Sequence, residues 1–438
     1  LPPQVSFFQV SFFQVSFFDV AATLIVITAV LAMINERYLK LPSSVGLTFL
    51  GGIVSLTLLA ANHLAPGANF SQKAVVFLAG IDFKATLMDG MLSFLLFAGA
   101  LHVDWAQMRQ GRWTVLVLST FGVVFSTLLV GFGLYYGELA FGITGLPLIW
   151  CLVFGALISP TDPVAVIASL KHADVPALLR ATVACESLFN DGVGIVVFAI
   201  ILAGAAHGEA FSFAHAGIEF LQEAGGGAAL GLAVGWLGFA AMRSVDEHNV
   251  EVMISLAIVM GGYSLAQKLS VSGPVAMAVA GILIGNANMS PGFCAKSREF
   301  LTRFWDLLDE IFNAVLFLLI GLKIITLPHD LMLWVACFAA VPVVLLARAL
   351  SVGLPMLLLR PFAGKAGAPA VVSNKVAFPI LIWGGLRGGI SIAMALSLPD
   401  VPERTVVITA TYACVLFSVL AQGGTINALI RRLSPPIA

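Results

Sequence analysis

Residues 159–163 read Ser159-Pro160-Thr161-Asp162-Pro163, and they interrupt the apolar run LIWCLVFGALI at 148–158. Each proline removes a backbone donor and clashes one turn back, so the segment cannot sit in a continuous helix. A second interruption lies far along the chain, Trp383-Gly384-Gly385-Leu386-Arg387-Gly388-Gly389-Ile390-Ser391, where paired glycines flank an arginine. Unwound backbone at membrane depth survives only where protein encloses it around a cavity. A proline kink or a glycine-rich packing face explains the breakers but not the charge at the centre of each.

The rest of the chain fixes the medium. Of 438 residues, 60% are hydrophobic and 10% charged, and the mean hydropathy is +1.02. A soluble domain carries about 25% charged residues. A cytosolic enzyme and a disordered chain are thereby excluded. A net charge of −1 with no basic run excludes a nucleic-acid binder. The chain reads as an all-α polytopic membrane protein.

A span needs about 20 mostly apolar residues. Breaks at charge, proline and glycine clusters give thirteen candidates, near 17–35, 44–62, 85–101, 113–137, 147–170, 180–206, 213–241, 250–268, 273–288, 300–323, 331–359, 376–398 and 404–430. With odd-numbered spans exiting to one side, that side collects fifteen loop Lys and Arg, from Arg37, Arg109 and Lys171 to Lys365 and Arg432. The other collects five: Lys73, Lys84, Lys268, Lys323 and Arg404. The positive-inside rule then sets the N-terminus outside and the C-terminus in the cytoplasm. Two of the 22 basic residues remain, Arg348 and Arg387, at the middle of the eleventh and twelfth spans. Asp162, Glu186 and Asp191 stand at the middle of the fifth and sixth. A charge at a helix centre costs roughly 2.5–3.5 kcal/mol, so these five are functional or paired.

The breaks fall in the fifth and twelfth spans, which run in opposite directions seven helices apart. That is the trace of inverted-topology repeats, spans 1–6 against 8–13 with the seventh as connector. In such folds two discontinuous helices cross at mid-membrane around a substrate site. Two breaks expose four half-helix ends; Asp162 near the positive ends and Arg387 near the negative ends would compensate them.

The sixth span holds Glu186-Ser187-Leu188-Phe189-Asn190-Asp191-Gly192. At 100° per residue Ser187 and Asp191 share a face, Glu186 and Asn190 share the adjoining stripe, and Glu186 points roughly 140° from Asp191. The two acids are therefore not read as a pair. Glu186 is expected to face a basic partner, with Arg348 at matching depth, and Asp191 is left as the carrier. A carboxylate held out of water can bind a proton or a hard monovalent cation, helped by oxygens of Ser187, Thr161 and Asp162. Competition between the two, with the site opening to each side in turn, is an exchange mechanism. One carrier carboxylate beside Asn190 predicts one cation per proton; a proton cycling on Asp162 as well would change that ratio.

Other segments say less. VSFFQVSFFQVSFFD repeats a five-residue unit, lacks the basic start of a cleaved signal and is read as leading into the first span. Cys151, Cys185, Cys294, Cys337 and Cys414 are scattered and read as buried small hydrophobes. The seven histidines lack metal-ligand spacing, and His172 and His248 read as ordinary loop residues. Gly225–Gly227 are expected to open an apolar helix and pack it closely. Asp306, Asp309 and Glu310 are expected at the N-terminus of the tenth helix, where its dipole favours acids; a cytoplasmic cation funnel is the other reading.

The stretches FLLFAGALHVD at 94–104, SPTDP at 159–163, ESLFNDG at 186–192, ARAL around Arg348 and GGLRGG at 384–389 resemble the monovalent cation:proton antiporter-1 family. That family includes bacterial NhaP-type sodium/proton antiporters and animal sodium/proton exchangers. The resemblance runs over nearly the whole chain. Its Asn190-Asp191 pair is similar to the electroneutral branch, where the electrogenic branch has Asp-Asp. It implies a homodimer in a bacterial plasma membrane, with monovalent cation and proton as substrates and no cofactor. Helices 1–3 (residues 1–110) and 8–10 (246–325) would form the dimerisation panel. Helices 4–6 (111–206) and 11–13 (326–438) would form a mobile core, with helix 7 (207–245) connecting them. The core would slide against the panel like an elevator.

By the same resemblance Asp191 is the essential ion- and proton-binding carboxylate. Asp162, Ser187 and Thr161 surround a Na⁺ ion, Asn190 steadies the site, and Glu186 pairs with Arg348. Many relatives carry a long cytoplasmic C-terminal region. The chain stops a few residues after Arg431-Arg432, so such a region is expected to be absent or removed. The expected activity is exchange of Na⁺ for H⁺; K⁺/H⁺ exchange is the near alternative, and a cation channel using Asp162 and Asp191 a different class.

Overall fold

The computed structural model describes residues 17–64, 70–79, 81, 85–140, 145–163, 166, 167, 170, 175–207, 213–245, 247–287, 295–328, 330–359 and 376–433. Lys84, Lys171, His172, Cys294, Arg360, Lys365, Lys375 and most of the N-terminal repeat lie outside them. The described chain is helical, because in lipid a helix satisfies its own backbone polar groups. Among the described residues the only extended pairing is a single antiparallel bridge between Asp162 and Leu386.

Among the described residues eight helices are long and apolar enough to cross a membrane, from Phe18–Leu39 and Ser43–Asn62 to Leu331–Leu358 and Arg404–Leu433. Three shorter apolar helices stand with them, Leu92–Leu101, Leu148–Ile158 and Gly273–Asn286. The tenth expected span, in Ala295–Leu322, falls outside these groups because it carries Asp306, Asp309 and Glu310. The twelfth falls outside because it is split into Ala377–Trp383 and Gly389–Leu396. Large apolar side chains such as Val26, Trp236, Leu237 and Met260 are exposed on the outer helices, as a lipid-facing surface requires.

Helix starts differ from the hydropathy boundaries. The fourth span begins at Trp105, capped by Asp104 accepting from the backbone N–H groups of Ala106 and Gln107, so Arg109 and Arg112 lie within the helix. The tenth begins at Ala295. Asp306, Asp309 and Glu310 therefore sit near its middle, which removes the helix-dipole account of them. Gly225–Gly227 do not open a helix either: they continue the run from Phe213–Phe220 through a π turn at Leu221–Gly225 into Gly226–Arg243. Close packing accounts for Gly226, Gly227 and glycines that follow such as Gly231 and Gly235, but not for Gly225, beside which a methyl group would meet open space. A methyl group on Gly227 would come within 2.5 Å of the Ser272 carbonyl, and one on Gly235 within 2.9 Å of the Ala280 α-carbon. The described cysteines, Cys151, Cys185, Cys337 and Cys414, are buried free thiols.

The buried core gathers around Leu148–Ile158. Val153, Phe154, Ala156, Leu157 and Ile158 are shut off from the surface, packed with Val407, Tyr412 and Val415 of the thirteenth span. Hydroxyls stitch distant helices together: Thr48 Oγ1 donates to the Phe317 carbonyl at 3.1 Å and Ser55 Oγ to that of Leu322 at 2.8 Å. In hydrocarbon such cross-helix bonds replace the hydrophobic drive that water would supply.

Candidate ion-binding site

The fifth span runs as helix from Leu148 to Ile158 and stops at the Ser159–Pro163 break. The twelfth stops at Trp383 and resumes at Gly389. The two breaks touch: the Asp162 backbone N–H donates to the Leu386 carbonyl at 2.8 Å. Each then supplies what the other lacks. Arg387 Nη1 donates to the carbonyls of Ser159 and Pro160, at 2.6 and 3.0 Å, at the C-terminal end of the first half-helix. The Asp162 carboxylate lies against Gly388, at the N-terminal end of Gly389–Leu396. Orphaned carbonyls thus meet a cation and orphaned N–H groups an anion, the arrangement that half-helix dipoles favour. A Cβ at residue 388 would strike the Asp162 carboxylate. It would also press to 2.8 Å on the Asp162 Cβ, which no rotamer change relieves while the bridge fixes the Asp162 backbone, so Gly388→Ala should remove most transport while leaving membrane insertion intact; normal transport in vesicles would contradict this packing.

The sixth span is one unbroken helix, Ala177–His207. From it Asn190 reaches across to the first break, Nδ2 donating to Thr161 Oγ1 at 2.7 Å while Oδ1 accepts from the Thr161 backbone N–H at 3.1 Å. Thr161 Oγ1 also shares a hydrogen bond with Ser187 Oγ at 3.1 Å. Asn190 Nδ2 makes a further bond of 3.1 Å to Glu186 Oε1, one turn back. Glu186 faces Arg348: Nη1 meets Oε1 at 2.8 Å and Nη2 meets Oε2 at 3.1 Å, a bidentate pair with both side chains buried. Two-point geometry of this kind is the stronger form of guanidinium–carboxylate contact.

Asp191 stands apart from this network. It is 6% exposed, and among the described residues its carboxylate makes no hydrogen bond or ion pair. The charges acting on it are Asp162, Glu186 and Arg387. Thr161, Ser187 and Asn190 are buried around the same crossing, and Asp162 is half-buried. The structure thus brings Thr161, Asp162, Glu186, Ser187, Asn190, Arg348 and Arg387 to one locality, with Asp191 on the same helix as Glu186 and Asn190. The chemistry present is a set of buried hydroxyl, amide and carboxylate oxygens, with one carboxylate outside their hydrogen-bond network.

Three contributions were not read from the sequence. Arg348 also donates from Nε and Nη2 to the Leu381 carbonyl, at 3.2 and 3.0 Å, and so caps the half-helix Ala377–Trp383. Ser159 is held from the fourth span, its Oγ 3.0 Å from Ser126 Oγ and 3.3 Å from Thr127 Oγ1. Ser418 and Gln422 of the thirteenth span bond the backbone of the second break. The last had a visible signal, two polar residues four apart in the apolar run VLFSVLAQGG. Toward the acidic trio, His102 Nε2 lies 3.0 Å from Asp306 Oδ1, and Asp309, bonded to Asn313, acts electrostatically on both His102 and Asp162.

A multi-pass helical membrane protein with two broken helices crossing beside a buried carboxylate has the architecture of a secondary ion transporter. Residues 24–432 match the family model described as "Sodium/hydrogen exchanger, transmembrane", and the chain belongs to that family. It is 43% identical over 414 residues to the Na⁺/H⁺ antiporter NhaP of Pseudomonas aeruginosa, covering 94% of this chain and 96% of the relative. It is 31% identical over 403 residues to the Na⁺/H⁺ antiporter NhaH of Halobacillus dabanensis, covering 91% and 93%. Among solved structures it resembles the sodium proton antiporter MjNhaP1 from Methanocaldococcus jannaschii at pH 8. There the TM-score is 0.71 at 20% identity, over 94% of this chain and 97% of that one, a likeness of fold.

Proposed function

We propose that this chain exchanges Na⁺ for H⁺ across a bacterial plasma membrane, one for one, with the Asp191 carboxylate carrying each in turn. The observation that carries the reading is the contrast inside the site. Glu186, Asn190, Thr161 and Arg348 satisfy one another, while Asp191, buried beside them, has no bonded partner among the described residues. A carboxylate so placed needs a proton or a cation to neutralise it. Asp162, Ser187 and Thr161 supply the further oxygens that a hard ion replacing its hydration shell requires. The names of the relatives, Na⁺/H⁺ antiporters, agree with this choice of substrates.

Helices 1–3 and 8–10 form a panel that pairs with a second copy, and helices 4–6 and 11–13 form the core that slides against it. The N-terminus lies outside and the C-terminus in the cytoplasm. Asp306, Asp309 and Glu310, with no helix end to explain them, serve as a cation approach from the cytoplasmic side.

Everted vesicles holding an acid interior test the reading. Adding Na⁺ should collapse the proton gradient, with Li⁺ and K⁺ run beside it to rank the ions. A gradient untouched by all three would overturn it, and current without proton movement would indicate a channel. K⁺ acting better than Na⁺ would select the potassium version of the same exchange.

A further inference from the structure

The thirteenth span is interrupted by a π turn at Ser418–Gly423, between the α-helices Arg404–Phe417 and Gly424–Leu433. Such turns cost hydrogen-bond geometry and recur at functional positions. This one faces the second break. Ser418 Oγ accepts the Arg387 backbone N–H at 2.7 Å and donates to Gln422 Oε1 at 2.8 Å. Gln422 Nε2 in turn donates to the Trp383 carbonyl at 3.1 Å. Ser418 and Gln422 are 1% and 2% exposed, so no solvent could take over these bonds.

The clamp therefore holds both ends of the unwound segment, the last carbonyl of Ala377–Trp383 and the N–H of Arg387. From Arg387 the connection runs on: its guanidinium grips the carbonyls of Ser159 and Pro160, the two residues before Thr161 and Asp162. The same turn also borders a second part of the protein. A methyl on Gly423 would come within 3.1 Å of Val45 Cγ2, at the start of Ser43–Leu64. Val419 and Gly423 line a small cavity with Ser44, Phe317, Asp162 and Arg387.

We infer that Ser418 and Gln422 are positioning residues for cation binding, a polar clamp that sets Arg387 and through it the oxygens of Thr161 and Asp162. The inference rests on the reading of those oxygens as cation ligands. Neither residue touches the ion. Loosening the clamp lets Arg387 and the first break shift, and a hard-cation site is sensitive to such displacement because its ligands replace a hydration shell.

The test compares Ser418→Ala, Ser418→Thr and Gln422→Met, which keeps the length of glutamine and removes both of its bonds. Each is reconstituted in proteoliposomes, and the Na⁺ dependence of proton movement is recorded with the melting temperature. Ser418→Ala and Gln422→Met should each raise the apparent KM for Na⁺ roughly fivefold, the scale of one lost buried hydrogen bond. The double variant should add little, since the two residues form one chain of bonds. Ser418→Thr, retaining the hydroxyl, should return the KM to within about twofold. An unchanged KM with only a lower maximal rate or melting temperature would overturn the inference and leave the clamp a purely structural one. Where Gln422→Met does not fold, Ser418→Ala against Ser418→Thr decides alone. Wild-type protein inert to every cation would instead overturn the proposed function, which separates the two failures.

Discussion

Asp191→Asn is expected to abolish cation-driven proton movement, to the level of vesicles without the protein, while the melting temperature holds or rises. The two halves of this result are linked by one observation. Asp191 makes no bond among the described residues, so the amide removes a buried charge without breaking a network. A structural carboxylate would behave oppositely and lose stability with its charge. The wild-type protein should also show direct competition. Where one carboxylate serves both ions, a tenfold rise in proton activity raises the apparent KM for Na⁺ by up to about tenfold, by mass action alone. Transport surviving in Asp191→Asn, or a KM independent of pH throughout, would remove Asp191 from the carrier role.

The Glu186–Arg348 pair predicts the reverse pattern. Either alanine substitution strands the other charge in a buried site and should cost about 3–5 kcal/mol, seen as poor yield and a lowered melting temperature. Arg348→Ala additionally frees the Leu381 carbonyl at the end of a half-helix, and Glu186→Ala frees an amide proton of Asn190. Because the partners share one interaction, the double alanine variant should be more stable than the sum of the single losses predicts. Thermal unfolding in detergent, followed by fluorescence, measures this directly. Two single variants as stable as wild type would show that the pair does not hold the fold.

What could be read from the sequence was whatever is encoded locally. Pro160 and Pro163 around Asp162, and the glycine pairs around Arg387, mark their breaks without reference to any distant residue. The angle between Glu186 and Asp191 follows from helix geometry alone. Helix ends were not legible in the same way. Hydropathy reports where lipid begins, and the helices that start at Trp105 and Ala295 extend past it with Arg109, Arg112, Arg298 and Arg303 within about their first three turns. The misplacement of Asp306, Asp309 and Glu310 at a helix start came from that difference. The second bonds of Arg348 and the reach of Ser418 and Gln422 to the second break go to backbone atoms, so even where two polar residues four apart were visible in an apolar run, their targets were not. Their targets, Leu381, Trp383 and Arg387, exist as acceptors and donors only because the twelfth span is broken.

The bond from Arg387 to Ser159 spans 228 residues. At a ribosomal pace of about 5–20 residues per second, the carbonyls of the first break precede their donor into existence by on the order of 10 to 45 seconds. Through that interval they must be kept wet or borrowed by another group, since bare carbonyls in hydrocarbon are expensive. Glu186 likewise waits through 162 residues for Arg348. The first half of the protein is therefore born incomplete, and the last two hundred residues act on it as a late-arriving chaperone in cis. A chain whose synthesis stalls before Arg387 is one that the cell's membrane proteases should recognise.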